Sequence, residues 1–390
     1  MDEVRGLSMA EPVQATGLVR TAFADCRAPD AVDQLVKALS PADLSLVILF
    51  LSPQTDLKGF MHAASGRFAP ARVVGCTTAG ELGRDGYTEG EIVAIGLPSA
   101  HFTAAPLLID DLTTLAPQDL IADTIRNRHA LAADHPDWHS EFALLLVDGL
   151  STREDALAAE LAVGLGPVPL FGGSAGDGND FGTTYILHED QLLTNAAVLI
   201  QVRSDCPIRV FNTDHLQPTP RRMVVTGADP AKRLVHEINA EPAAREYARL
   251  LGKDPEQLST FTFAAHPVVV RIGEQTHVRA IQRVAENGDL VFFSAIDEGV
   301  ILTLAEPENM VTHLERELSA LSEQGPPDMI LGCDCLLRRV EAEQKQMAND
   351  LSRLLARHRV VGFSTYGEQV NSMHVNQTLT GVAIYPPERS

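Results

Sequence analysis

The chain is poor in the residues that would mark it as a nucleic-acid binder or a disulfide-stapled protein. Lys and Arg number 31 against 52 Asp and Glu, a net charge of −21. A surface that acidic repels phosphate backbones and anionic lipid, so nucleic acid and membrane surfaces are excluded as default partners. Only five cysteines are spread over 390 residues, an odd number that suits reduced thiols in a cytosol better than a disulfide framework. No apolar run approaches the ~18 residues of a membrane helix, and the strongest, Ser45 to Leu51, has the length of a buried strand. The start, Met1-Asp2-Glu3, lacks the basic-then-apolar pattern of a secretory leader, so a cytoplasmic location is expected. Several motifs are missing too. There is no G-x-G-x-x-G or G-x-x-x-x-G-K-[ST], no H-E-x-x-H and no C-x-x-C-H. Nucleotide binding, zinc hydrolysis and covalent haem therefore lack support, and no enzymatic activity is expected.

What is present is an internal repeat. An apolar strand at Leu46–Leu51 is followed by a helical stretch and a second strand ending in Val74-Gly75-Cys76-Thr77-Thr78-Ala79-Gly80-Glu81. The pattern returns at Phe142–Val147, ending in Phe171-Gly172-Gly173-Ser174-Ala175-Gly176-Asp177. It returns again at Met329–Leu331, ending in Gly362-Phe363-Ser364-Thr365-Tyr366-Gly367-Glu368. Each unit reads strand, helix, strand, then glycine, a small residue, glycine and a carboxylate, and each fits a strand-helix-strand crossover. The turns either face a ligand with backbone N–H groups or are tight turns needing positive φ. Three copies predict that they converge.

Punctuation places the helices. Ser151 and Glu154 read as a capping box. Asp229-Pro230 and Gly252 bracket a helix over Arg233–Leu251. Pro307-Glu308 opens a helix ending near Gly325, and Arg338–His358 reads as one long helix. Short strands are expected at Phe261–Phe263, Val268–Ile272, His277–Ile281, Leu290–Ser294 and Val300–Leu304, with Asn287-Gly288 as a hairpin turn. The expected fold is α/β, two domains built from repeated β-α-β units on mixed sheets packed with helices, divided as 26–230 and 231–386.

Cys333-x-Cys335 has no second pair to complete a structural zinc site, so buried free thiols or a metal site are both open. Among the 13 histidines, His215 follows the Ile208–Phe211 strand, and His266 stands in Ala264-Ala265-His266-Pro267. A non-covalent haem needs only one such axial imidazole in an apolar pocket; a structural histidine fits the same spacing.

The three glycine turns, with Cys335-x-x-Arg338 and Leu379-Thr380-Gly381-Val382-Ala383, resemble FIST sensory proteins over roughly Cys26 to Pro386, as a FIST N and a FIST C domain. Thr213-Asp214-His215-Leu216-Gln217-Pro218-Thr219, Ile238 to Ala244 and Ala295-Ile296-Asp297-Glu298-Gly299 are most similar to the nitric-oxide-sensing haem members of that family, NosP. The resemblance implies a bacterial stand-alone sensor that binds haem b and nitric oxide and regulates a partner histidine kinase in two-component, often biofilm, signalling. For such a haem, His215 or His266 is the expected iron ligand, and Arg271, Arg221 or Arg222 are the expected partners of the propionates, since a guanidinium matches a carboxylate. The alternative is a FIST module that binds a small amino-acid-like metabolite without haem. A homo-oligomer is compatible with either.

Overall fold

The computed structural model describes residues 17–387 apart from 273 and 274. Its core is built from three six-stranded mixed sheets that repeat one plan. In the first, the order is Arg20–Asp25, Glu91–Pro98, Leu44–Leu51, Arg72–Thr77, Ile186–His188, Gln191–Leu193. In the second it is Phe102–Ile109, Ala197–Ser204, Ser140–Val147, Leu170–Ser174, Glu368–Val370, Met373–Val375. In the third it is Ile208–Thr213, Leu379–Ile384, Met329–Cys335, Val360–Thr365, Glu81–Gly83, Gly86–Thr88. The third and fourth positions are the parallel pair of each expected repeat. The last two positions are a hairpin, and in every sheet that hairpin comes from a different repeat. The hairpin that follows the first repeat completes the third sheet, the second completes the first, and the third completes the second.

Alternation along the strands decides what lies between the sheets. One face of each turns inward, so that Phe50 and Val74, Phe142 and Phe171, and Cys333 and Phe363 share one buried cluster. Phe50 and Phe363 stack with centroids 4.4 Å apart. The outer faces are covered by helices. Leu35 and Leu39 of Ala31–Leu39 pack on the first sheet, Leu157 and Leu161 of Glu154–Leu165 on the second, and Leu351 and Leu354 of Ala348–Arg357 on the third.

A fourth sheet is inserted into the third repeat. Its order is Gln275–Arg279, Val268–Ile272, Ile301–Pro307, Leu216–Asp229, Leu234–Ile238, Leu290–Phe292, Ile281–Val284, with Glu241–Pro242 beside Leu234–Ile238. The insertion enters and leaves at one place, because Leu216 pairs with Pro307 and the Glu308 N–H donates to the His215 carbonyl at 2.7 Å. The 230/231 position falls between Leu216–Asp229 and Leu234–Ile238, which pair antiparallel.

Several elements differ from the sequence reading. Asp229 caps only the short turn Pro230–Lys232; Arg233 then takes φ 56°, the chain enters a strand, and the helix begins at Ala243. Phe261–Phe263 lies in the helix Thr260–Ala265, which the reciprocal Ser259–Thr262 capping box starts. Ser151 makes no capping box, since the helix starts at Glu154 with Arg153 at its cap. The helix after Pro307 starts at Met310, where the Asn309 side chain accepts from the Thr312 N–H. The stretch Arg338–His358 is two helices, Leu336–Gln344 and Ala348–Arg357.

Candidate functional site

The three glycine turns do converge, and backbone hydrogen bonds close them into a ring. Ala79 N–H donates to Ser364 O at 2.9 Å, Tyr366 N–H to Ser174 O at 3.3 Å, and Gly176 N–H to Thr77 O at 3.0 Å. These groups bond each other, so they are not aimed at a ligand. Positive φ is not the common reason for their glycines either, since among the three turns only Gly80 has it, at 124°. A Cβ at Gly75, Gly172 or Gly362 would overlap the carbonyl oxygen of Leu49, Leu145 or Gly332 on the paired parallel strand. The glycine of each repeat is a close-approach residue. Two turns also repeat a buried carboxyl: Glu81 accepts from the Thr78 hydroxyl and the Glu91 N–H, and Glu368 from the Thr365 hydroxyl and the Thr378 N–H.

His215 lies in a second buried polar group. Arg338 Nη1 stands 3.0 Å from its Nδ1, and Glu341 Oε2 stands 3.0 Å from its Nε2. A guanidinium has no acceptor, so Nδ1 carries the lone pair and the proton sits on Nε2, donated to Glu341. Burial, opposed by Glu341 and reinforced by Arg338, lowers the imidazole pKa and keeps the ring neutral. Arg338 Nε also donates to Asp334 at 2.7 Å, and Asp334 accepts from the Tyr87 hydroxyl at 2.6 Å. The Arg338 of the Cys-x-x-Arg segment is thus the hub of a network joining the first and third repeats.

A haem iron bound at His215 would take Nε2 from Glu341 or Nδ1 from Arg338 and break one hydrogen bond of the network, in a site where His215 is fully buried. His266 ends the helix Thr260–Ala265, its N–H donating to Thr262 and its carbonyl accepting from the Tyr247 hydroxyl. Neither imidazole borders the large cleft described next.

That cleft, about 810 Å³, opens on the inserted sheet and is within the size range of small-molecule sites. Arg222 lines it opposite Thr303 on the neighbouring strand, and Arg271 lines it opposite Thr276. Ala295, Ile296, Asp297 and Gly299 line it too. Arg221 points elsewhere, its Nη1 donating to Leu250 O at 3.4 Å. The sequence reading did not single out Arg279. It is largely buried, donates to the carbonyls of His374 at 3.0 Å and Val278 at 3.3 Å, and meets no carboxylate at ion-pair distance among the described residues. Burial lowers its pKa, with Asp155 opposing. The only hint of it in the sequence was an arginine ending a short apolar strand, which is not a signal by itself.

Cys333 and Cys335 are both buried on Met329–Cys335, and burial pushes both thiols up. They belong to no cluster of three metal-ligating residues among those described. No helix among the described residues is long and apolar enough to cross a membrane.

The three sheets with their exchanged hairpins carry an inserted, cleft-bearing sheet. The FIST N domain model matches residues 45–241 and the FIST C domain model residues 243–371. The chain belongs to the FIST family, whose domains are signalling sensor modules. No curated protein matches it.

Proposed function

We propose that this FIST protein senses a small anionic metabolite of the amino-acid class, bound in the cleft of the inserted sheet, without haem. The observation that carries the reading is Arg279, a largely buried guanidinium at the cleft that hydrogen-bonds carbonyls and makes no ion pair with a carboxylate among the described residues. A carboxylate from a ligand supplies the charge it lacks, in the geometry a guanidinium favours. Arg222 and Arg271 add positive charge, and Asp297 in the same lining suits a ligand ammonium group.

The cleft is tied to the three-sheet body at two points. Arg279 donates to His374 O, on the Met373–Val375 strand of the second sheet. The Ala295 N–H donates to Asp155 at 3.4 Å, on the helix covering that same sheet. A ligand that draws Arg279 toward itself acts on the first contact directly, and differential affinity for two arrangements is what a sensor requires. A histidine kinase is the partner that the NosP-like resemblance supplies for the output.

Thermal melts of the full chain with amino acids, dicarboxylates and their uncharged amides test the reading. Stabilisation by a carboxylate ligand, lost in Arg279→Gln, supports it. Hemin giving a sharp Soret band that disappears in His215→Ala or His266→Ala, with no carboxylate ligand stabilising the protein, overturns it in favour of the gas sensor.

A further inference from the structure

The chain crosses between its three sheets by two turns that lie side by side. The first, Pro98 to Phe102, leads from the first sheet to the second, and the second, Ser204 to Ile208, leads from the second to the third. Ser204 and Phe102 are the last rung of their antiparallel ladder, so the residues beyond the rung, His101 and Asp205, are brought together. His101 Nδ1 stands 3.0 and 3.1 Å from the two Asp205 oxygens, and Cys206 Sγ stands 3.5 Å from Asp205 Oδ1. The three donor atoms all lie within 4.8 Å of one another. Zinc bonds of ~2.0–2.3 Å in a tetrahedron put ligand atoms roughly 3.3–3.8 Å apart, so small side-chain rotations accommodate an ion.

The surroundings are those of a held site. The Ser204 hydroxyl donates to His101 O at 2.8 Å and accepts from the Cys206 N–H at 3.0 Å, which fixes both turns. Cys206 is fully buried, whereas the His101 and Asp205 side chains keep 30% and 33% of their surface, leaving one open side for a water ligand.

We propose that His101, Asp205 and Cys206 bind one zinc-type divalent cation that staples the two crossovers, with water in the fourth position. Thiolate, imidazole and carboxylate together select zinc over the hard cations magnesium and calcium. On binding, the thiol gives up its proton to solvent and the sulfur lone pair forms the metal bond, so the ion carries its own pH dependence and binds less tightly as pH falls. This site is independent of the cleft.

The test strips the full chain with chelator and titrates it with Co²⁺. The expected result is a thiolate-to-cobalt charge-transfer band and strong tetrahedral visible bands that saturate at one equivalent and are displaced by Zn²⁺. Cys206→Ser abolishes the charge-transfer band. His101→Ala, at a partly exposed position, weakens binding at least ~10-fold, since even loss of outer-shell support costs that much. Should Cys206→Ser fail to fold, Asp205→Asn takes its place and must weaken cobalt binding likewise. Absence of the band in the wild-type protein, or the same band and affinity in the variants, overturns the proposal.

Discussion

Glu81 and Glu368 occupy equivalent places in two repeats and are both buried. Burial, partly offset by their threonine donors, raises their pKa values to about 7 and about 8. Unfolded, both titrate near ~4.3. The folded protein therefore keeps protons that the unfolded chain releases. The stability these groups contribute is whole below the unfolded value and is lost as pH rises through about 7 to 8. Urea midpoints should fall between pH 5 and 8. Glu368→Gln, which mimics the protonated side chain, should flatten that slope and raise the midpoint at pH 8; a slope left unchanged would mean that the carboxyl is ionised in the folded state. At the glycines the argument is steric. Gly75→Ala forces a Cβ onto the Leu49 carbonyl and is expected to destabilise by about 1–3 kcal/mol or more in denaturant titration. Gly166→Ala meets no neighbouring atom but sits at φ 60°, ψ −116°, a backbone region kept almost to glycine, and costs about 1–3 kcal/mol through the backbone alone.

The break between Leu336–Gln344 and Ala348–Arg357 has a local cause. Met347 N–H bonds Ala342 O at 2.7 Å and Gln346 N–H bonds Glu343 O at 3.1 Å, the paired bonds of a Schellman ending, with Gln346 at φ 57° where glycine is usual. Gln346→Gly is expected to raise stability by about 1 kcal/mol, the cost of left-handed backbone for a residue with a Cβ, measured as an upward shift in melting temperature. The break turns the second helix so that Leu351, Leu354 and Leu355 join Ala342 in one cluster. On the first helix, Arg338→Ala strands Asp334 and leaves His215 without its donor. Removing one partner of a buried pair costs about 3–5 kcal/mol, and urea denaturation should show a loss of that order.

At the scale of the molecule, hairpin exchange makes the three sheets mutually dependent. A fragment ending at residue 241, where the FIST N match ends, lacks the parallel pair of the third sheet and the hairpin that completes the second. It also leaves the Glu81–Gly83 hairpin without its partner strand. Such a fragment should show no cooperative melt and should bind a hydrophobic dye, whereas the whole chain melts cooperatively. The inserted sheet is different in kind. It enters and leaves at one point and is held to the body by Arg233, which donates to Glu154 and to Phe293 O, and by the cluster of Ala264, Ala280 and Phe293 with Cys335 and Leu337.

The local repeat is legible in the residues alone. Continuous apolar runs and a recurring glycine turn fixed three parallel strand pairs and their meeting, because burial on both faces and close backbone approach leave their mark residue by residue. It also supplied two arginines of the cleft, Arg222 and Arg271. Tertiary structure alone decided the rest. Which hairpin completes which sheet is a matter of long-range pairing, and Arg233 to Ile238 became a strand because the Leu216–Asp229 edge pairs with it, overriding a helical composition. His215 was recognisable as a histidine at a strand end, but Arg338 and Glu341, more than a hundred residues away, set its proton and close its nitrogens. The same holds for His101, Asp205 and Cys206, which no spacing rule connects and which one ladder rung places side by side.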